Sequence, residues 1–192
     1  MTSTSSTAIA EIGIGPVQVS AFANMAQLLS YIIRDDGSVY AGSAIAINPE
    51  KILTALENPQ VLAVIQQADL RYADGIGVVK VMQKRLQRPV ERIPGCELWQ
   101  ALMARAAEYQ VPVYLVGAKP AVLAQTRDKL LQMGAKVVGA TDGYFKDEAQ
   151  LLQAIRDSGA RFVSVAMGSP ATRCAPCSRP ATAACGPAPA AA

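Results

Sequence analysis

The chain is 192 residues long, 51% hydrophobic and 17% charged, with a formal charge of +3. That describes one folded domain with a sizeable core and excludes a disordered or fibrous chain. No window reaches the ~20 consecutive apolar residues of a bilayer-spanning helix, and the start MTSTSSTAIAEIGIG lacks the basic region and apolar core of a secretory signal, so a cytoplasmic location is expected.

Eighteen basic residues against 15 acidic ones are too small an excess to predict a nucleic-acid partner or a polybasic membrane surface. There is no histidine. Its absence removes Ser-His-Asp and Cys-His nucleophile schemes and histidine-ligated metal sites, which leaves Asp, Glu, Lys, Tyr or Cys for acid–base work.

From Ile12 to about Arg173 short apolar runs alternate with longer helical patterns. This rhythm predicts an α/β fold with an open, mostly parallel sheet and helices on both faces. Ser20 to Arg34 places Phe22, Met25, Leu28, Leu29, Ile32 and Ile33 on one helical face, and Asp36-Gly37 follows as a turn. Ala44 to Ile47 reads as an interior strand. Asn48-Pro49-Glu50 then supplies an N-cap, a proline at the first helical position and an acid in the first turn. Asn58-Pro59 repeats the signature, so two short helices are expected rather than one long one.

Leu70 to Ala73 is a further strand, and Gly75 to Leu86 a helix with Val78, Val79 and Met82 inward. Helix Cys96 to Tyr109, strand Val113 to Val116, helix Ala121 to Met133, strand Lys136 to Val138, helix Asp147 to Asp157 and strand Phe162 to Ala166 complete the alternation. Gly134 and Gly159 stand where C-terminal helix caps belong. Trp99, with Leu98, Leu102 and Met103, reads as helix core, and Cys96 as a small half-buried residue.

The composition changes after Arg173, so residues 1–173 are read as the domain and 174–192 as a disordered tail. The last 19 residues hold 8 Ala, 4 Pro and 3 Cys and no Val, Ile, Leu, Met or aromatic residue, which argues against any strand there. Such a change is what a shifted reading frame in a GC-rich gene produces. Cys174 and Cys177 have C-x-x-C spacing, but with only Cys185 nearby and no histidine they are read as coincidence rather than a zinc or redox site.

In open α/β sheets ligands bind at the carboxyl ends of the strands, where loops and helix N-termini converge. The strand exits here carry Asn48, Asp74-Gly75, Gly117, Gly139 with Asp142-Gly143, and Gly168-Ser169-Pro170. Glycines allow close backbone approach, and Asn, Asp and Ser offer fixed donors and acceptors, which suits a phosphorylated, polyhydroxylated ligand; the same residues also serve ordinary turns. Gly75-Ile76-Gly77 is a poor dinucleotide fingerprint, with no third glycine and its acid placed before the glycines. A nicotinamide oxidoreductase is therefore a weaker alternative. Asp74 reads either as a turn acid or as a base for a substrate hydroxyl, and Arg92, before Pro94-Gly95, as a surface ion pair or a planar partner for a diphosphate.

Six ordered segments, AINPEKIL (46–53), YADGIGVV (72–79), RIPGCELWQALMARA (92–106), VYLVGAKPAVLAQT (113–126), DGYF (142–145) and VAMGSP (165–170), resemble the WecG/TagA/CpsF glycosyltransferases over almost everything from Gly13 to Pro170. The resemblance implies a Rossmann-like domain that moves a sugar from a UDP donor to an undecaprenyl-diphosphate-linked N-acetylglucosamine, with inversion and with no metal or other cofactor. By position, it makes Asp74 the general base, Asn48 a cleft contact and Arg92 a diphosphate partner, with Gly75, Gly117, Gly168 and Ser169 on the donor side.

The family's MGSP is ordinarily followed by Lys-Gln-Glu and a basic appendage that holds the membrane-bound substrate. Here Ala171-Thr172-Arg173 follow. The expectation is therefore a truncated or frameshifted member with impaired transfer or nucleotide-sugar binding alone. Its exposed sheet edge would favour homo-oligomers.

Overall fold

The computed structural model describes residues 9–167 and 182–185, the last four by backbone only. Alternation in Glu11–Ile14 and Val17–Ser20 turns about Gly15-Pro16 into an antiparallel hairpin, β1 and β2. Gly15, at φ 57°, adopts the left-handed backbone that so short a connection needs. The predicted helix from Ser20 is correspondingly shorter. Asn24 caps it by accepting from Gln27 N at 2.9 Å, and α1 runs Met25–Ile32. Phe22 lies outside the helix yet is buried with Leu28, Ile32 and Ile33. The Asp36-Gly37 turn forms, with Ser38 N donating to Asp36 Oδ1.

β3 (Ser43–Ile47) leads into α2 (Pro49–Glu57) and α3 (Pro59–Gln67), separated where expected. Asn48 Oδ1 accepts from Lys51 N at 2.9 Å, and Asn58 Oδ1 accepts from Gln60 N and Val61 N. Then follow β4 (Leu70–Ala73), α4 (Ile76–Leu86), α5 (Gly95–Glu108), β5 (Val113–Gly117), α6 (Pro120–Gln132), β6 (Val137–Thr141), α7 (Glu148–Asp157) and β7 (Phe162–Ala166). Gly134 and Gly159 take positive φ just past α6 and α7, as helix-ending glycines do.

With Thr182–Cys185 as β8, the strands form one sheet in the order β1-β2-β4-β3-β8-β7-β5-β6, parallel except for the first hairpin. Side-chain alternation along each strand divides the core between two faces. Ala44 and Ala46 of β3, Leu70 and Tyr72 of β4, and Val113 and Leu115 of β5 pack with residues of α1, α5 and α6. On the opposite face Ile47, Ala73, Val17 and Val19 pack with α2, α3 and α4, while Tyr114, Val116, Val163 and Val165 pack with Ile155 of α7. The fold is thus Rossmann-like, with helices on both faces.

One expectation about the tail is corrected. Thr182–Cys185 form a strand, β8, parallel to both β3 and β7. Composition argued against it by weighing side chains, but a ladder is built from backbone N–H and C=O groups, which every non-proline residue of this segment carries. Among the described residues, only β8 joins the β1-β2-β4-β3 half of the sheet to the β7-β5-β6 half. The C-x-x-C pair, Gly168 and Ser169 lie outside the described residues.

Proline at position 184, paired with Ala44 on one side and Ser164 on the other, removes a donor from the middle of the sheet. Ala184→Pro should therefore lower stability by about 1–3 kcal/mol, read as a lower urea midpoint. An unchanged midpoint would show that this segment carries no ladder.

Candidate functional site

All strands from β2 onward run the same way, so their carboxyl ends share one edge. The chain passes from β3 to its neighbour β4 on one side, then crosses to β5 on the other. That reversal is the topological switch point, where open α/β sheets hold ligands.

Ile47 and Ala73 are paired in the ladder, so Asn48 and Asp74 leave adjacent strands side by side. The Ile47 carbonyl accepts from both Asp74 N at 2.9 Å and Gly75 N at 3.2 Å, which folds the β4 exit onto the β3 exit. Gly75 makes this approach possible, since a Cβ there would lie 2.4 Å from Pro49 Cδ and 3.0 Å from Asn48 Cα. The side-chain oxygen of Asn48 is committed to capping α2, so what the side chain has left to offer is its amide NH2, a donor. Lys51 Nζ donates to the Ala46 carbonyl and spans the same exit.

Arg92 completes the cluster. Its Nε donates to the Asp74 carbonyl at 2.6 Å, and its Nη2 lies 3.5 Å from Asp74 Oδ1. Ile93 N donates to the Ala73 carbonyl at 3.0 Å, which aligns the approach to α5 along β4. The Asp74 side chain is 18% exposed and that of Arg92 53%. The carboxylate is therefore held at the edge with a path to solvent, and the guanidinium keeps exposed N–H groups for an anion. The structure thus brings Asn48, Asp74, Gly75 and Arg92 together.

Gly117 sits apart, at the exits of β5 and β7. At φ 108° it passes so close to β7 that a Cβ would lie 2.3 Å from the Ala166 carbonyl oxygen. Ala118, at φ 61°, donates to that carbonyl and accepts from Gly143 N, tying the exits of β5, β7 and β6 together. Beneath this knot, between α5 and α6, lies a largely apolar pocket of about 60 Å³ lined by Cys96, Trp99, Leu115, Gly117, Leu123 and Ser164 among others. It is far smaller than the ~300 Å³ or more of a typical ligand pocket. A shallower groove of about 360 Å³ runs beside β6, lined by Pro120, Arg127, Thr141 and Asp142 among others.

Three expectations change. Gly139 is inside β6 rather than at its exit, covered by the Tyr114 ring, whose Cε2 would lie 2.2 Å from an added Cβ. Cys96 is exposed on the first turn of α5 instead of half-buried. Trp99 packs against the core as expected, but its indole N–H also donates to Ser164 Oγ at 2.8 Å and forms a wall of the pocket. Lys51, Ala118 and the Trp99–Ser164 pair were not singled out from the sequence. Only Lys51 had a visible signal, as the base following an N-cap motif.

Among the described residues no group of three or more Asp, Glu or Cys side chains could hold a metal ion, and no helix is long and apolar enough to cross a membrane. A mostly parallel sheet with helices on both faces defines a Rossmann-like domain, and the carboxylate and arginine at its switch-point edge form the candidate site. The family model described as "Glycosyl transferase WecG/TagA/CpsF family" matches residues 12–174. The chain belongs to this glycosyltransferase family, which implies a nucleotide-sugar donor and a lipid-linked acceptor.

Because Gly75 is pressed against Pro49, Gly75→Ala should force the two exits apart. A loss of about 1–3 kcal/mol is expected from such overpacking, measured by urea unfolding. Wild-type stability would mean that the contact is slack.

Proposed function

We propose that this chain is an inverting hexosyltransferase built to move N-acetylmannosaminuronate, or a related hexose, from UDP to undecaprenyl-diphosphate-linked N-acetylglucosamine. Such a reaction serves cell-surface polysaccharide synthesis of the enterobacterial common antigen type, at the inner face of the membrane. The observation that carries the reading is Asp74, held at the switch-point edge beside Arg92 and Asn48. Family membership supplies the reaction class.

Inversion by a single displacement needs one base and a stabilised leaving group, and no protein nucleophile. In this reading the Asp74 carboxylate takes the proton of the acceptor hydroxyl as its oxygen attacks the anomeric carbon. The bond to the UDP oxygen breaks, and UDP leaves with the electron pair. Arg92 offers exposed N–H groups to the diphosphate charge, and the Asn48 amide orients the sugar or the acceptor. The family resemblance assigns the donor side to Gly75 and Gly117, which close the two strand exits, and to Gly168 and Ser169, which lie outside the described residues. The chain needs no histidine for this, which agrees with its composition.

A second reading is favoured by one sequence feature. Ala171-Thr172-Arg173 stand where the resembled family has Lys-Gln-Glu, so transfer by this chain is expected to be weak, with binding of the nucleotide sugar retained. Calorimetric titration should show UDP bound in preference to NAD; the reverse preference would favour an oxidoreductase and overturn the assignment. With enzyme in excess over a lipid-diphosphate-GlcNAc acceptor, Asp74→Asn should slow UDP release at least ~100-fold, the usual worth of a positioned base, without changing UDP affinity. Equal rates for the two proteins would remove Asp74 from its role.

A further inference from the structure

The near-neutral total conceals a segregated charge. Residues 76–92, which are α4 and the segment leading out of it, carry Lys80, Lys84, Arg85, Arg88 and Arg92 against Glu91 alone. In the rest of the chain 13 basic residues face 14 acidic ones. The whole positive excess therefore belongs to one helix and its exit.

Packing decides where these cations point. Val78, Val79 and Met82 occupy the buried face of α4, which leaves Ile76, Lys80, Val81 and Lys84 exposed. Arg85 Nη1 donates to the Gly13 carbonyl and Arg88 Nη2 to the Ala21 carbonyl, so both guanidinium groups are drawn along the β1–β2 hairpin while the residues stay exposed. The strip then returns to the carboxyl edge of the sheet through Arg92 at Asp74. Within it two apolar side chains stand out from the surface, Ile76 at 59% and Val81 at 37% exposed.

The shape and composition of the strip select its partner. Eleven residues of helix extend about 16 Å, too far for one small anion but suited to an array of phosphate headgroups. Cations interspersed with protruding aliphatic side chains are the mark of a helix lying on a lipid interface. Single-stranded nucleic acid is instead gripped by aromatic side chains between the cations, and residues 76–92 contain none. A second copy docked strip to strip about a two-fold axis would set like charges against each other.

We propose that the exposed face of α4, continued through Arg88, is the surface on which this domain meets an anionic lipid bilayer. The lipid-linked acceptor of the proposed reaction would then reach Asp74 along the strip. That consequence rests on the glycosyltransferase mechanism proposed above. Lipid binding itself does not, so the two ideas fail separately.

The test is cosedimentation of the full chain with vesicles of phosphatidylcholine alone or with added phosphatidylglycerol, across a range of salt concentrations. Binding should require phosphatidylglycerol and weaken as salt rises. Lys80→Gln with Lys84→Gln should weaken it by about fivefold per charge removed, the worth of one basic residue near an anionic surface. Removal of two exposed charges elsewhere, Lys129→Gln with Lys136→Gln, should leave binding close to that of the parent chain.

Both double variants should keep the parent's urea midpoint and UDP affinity. Each of these results overturns the proposal: no binding to phosphatidylglycerol vesicles, equal losses in the two double variants, or binding of single-stranded DNA as tight as that of the vesicles. If the Lys80/Lys84 substitutions change sedimentation of the protein alone but not vesicle binding, the strip is a self-association surface and the proposal fails.

Discussion

The structure depends on one carbonyl. Ile47 ends β3, and its oxygen collects the N–H groups of both Asp74 and Gly75 as they leave β4. Two donors on one acceptor pin the second exit to the first, and Gly75 lies flat against Asn48-Pro49 because it has no side chain to prevent it. Buried or half-buried backbone groups must be paired somewhere. Here the pairing also fixes the position of a carboxylate. Arg92 then binds the carbonyl and the side chain of the same aspartate, so Asp74 is oriented from both sides while its side chain stays partly exposed.

This local lock gains meaning from topology. The chain reverses its direction of travel between β4 and β5, which puts a topological switch point at the carboxyl edge of the sheet. The same edge receives a second knot, in which Ala118 ties β5 to β7 and to the loop after β6. Asp74 and Gly117 therefore stand on opposite sides of the reversal, linked by α5, whose first turn follows Arg92 and carries Cys96 to the apolar pocket. In the proposed reaction the base and the acceptor would lie on one side of the reversal and the donor along the edge.

Much of this was legible in the sequence where the determining chemistry is local. Asn48 and Asn58 announce their helices because an N-cap and a following proline act within three residues. Asp74 was visible as an acid at a strand exit, and the family resemblance supplied its role. What was missed depended on distant partners. The β1–β2 hairpin was obscured because Phe22 shares the apolar spacing of α1 without belonging to it. Gly139 looked like a strand end because only the folded sheet puts the Tyr114 ring across it. β8 was excluded on side-chain grounds, although backbone pairing made the strand. The basic strip was in the sequence throughout, hidden because a net charge averages over faces that never meet.

The account stands or falls on where the donor lies relative to Asp74. The most direct measurement is a crystal structure of the chain with a UDP-hexosamine and an acceptor analogue. The account predicts the diphosphate along the carboxyl edge within reach of Arg92, and an acceptor hydroxyl at about 2.6–3.2 Å from an Asp74 carboxylate oxygen, the range for proton abstraction. A donor bound with its anomeric carbon away from this edge, and Asp74 facing only solvent, would contradict it.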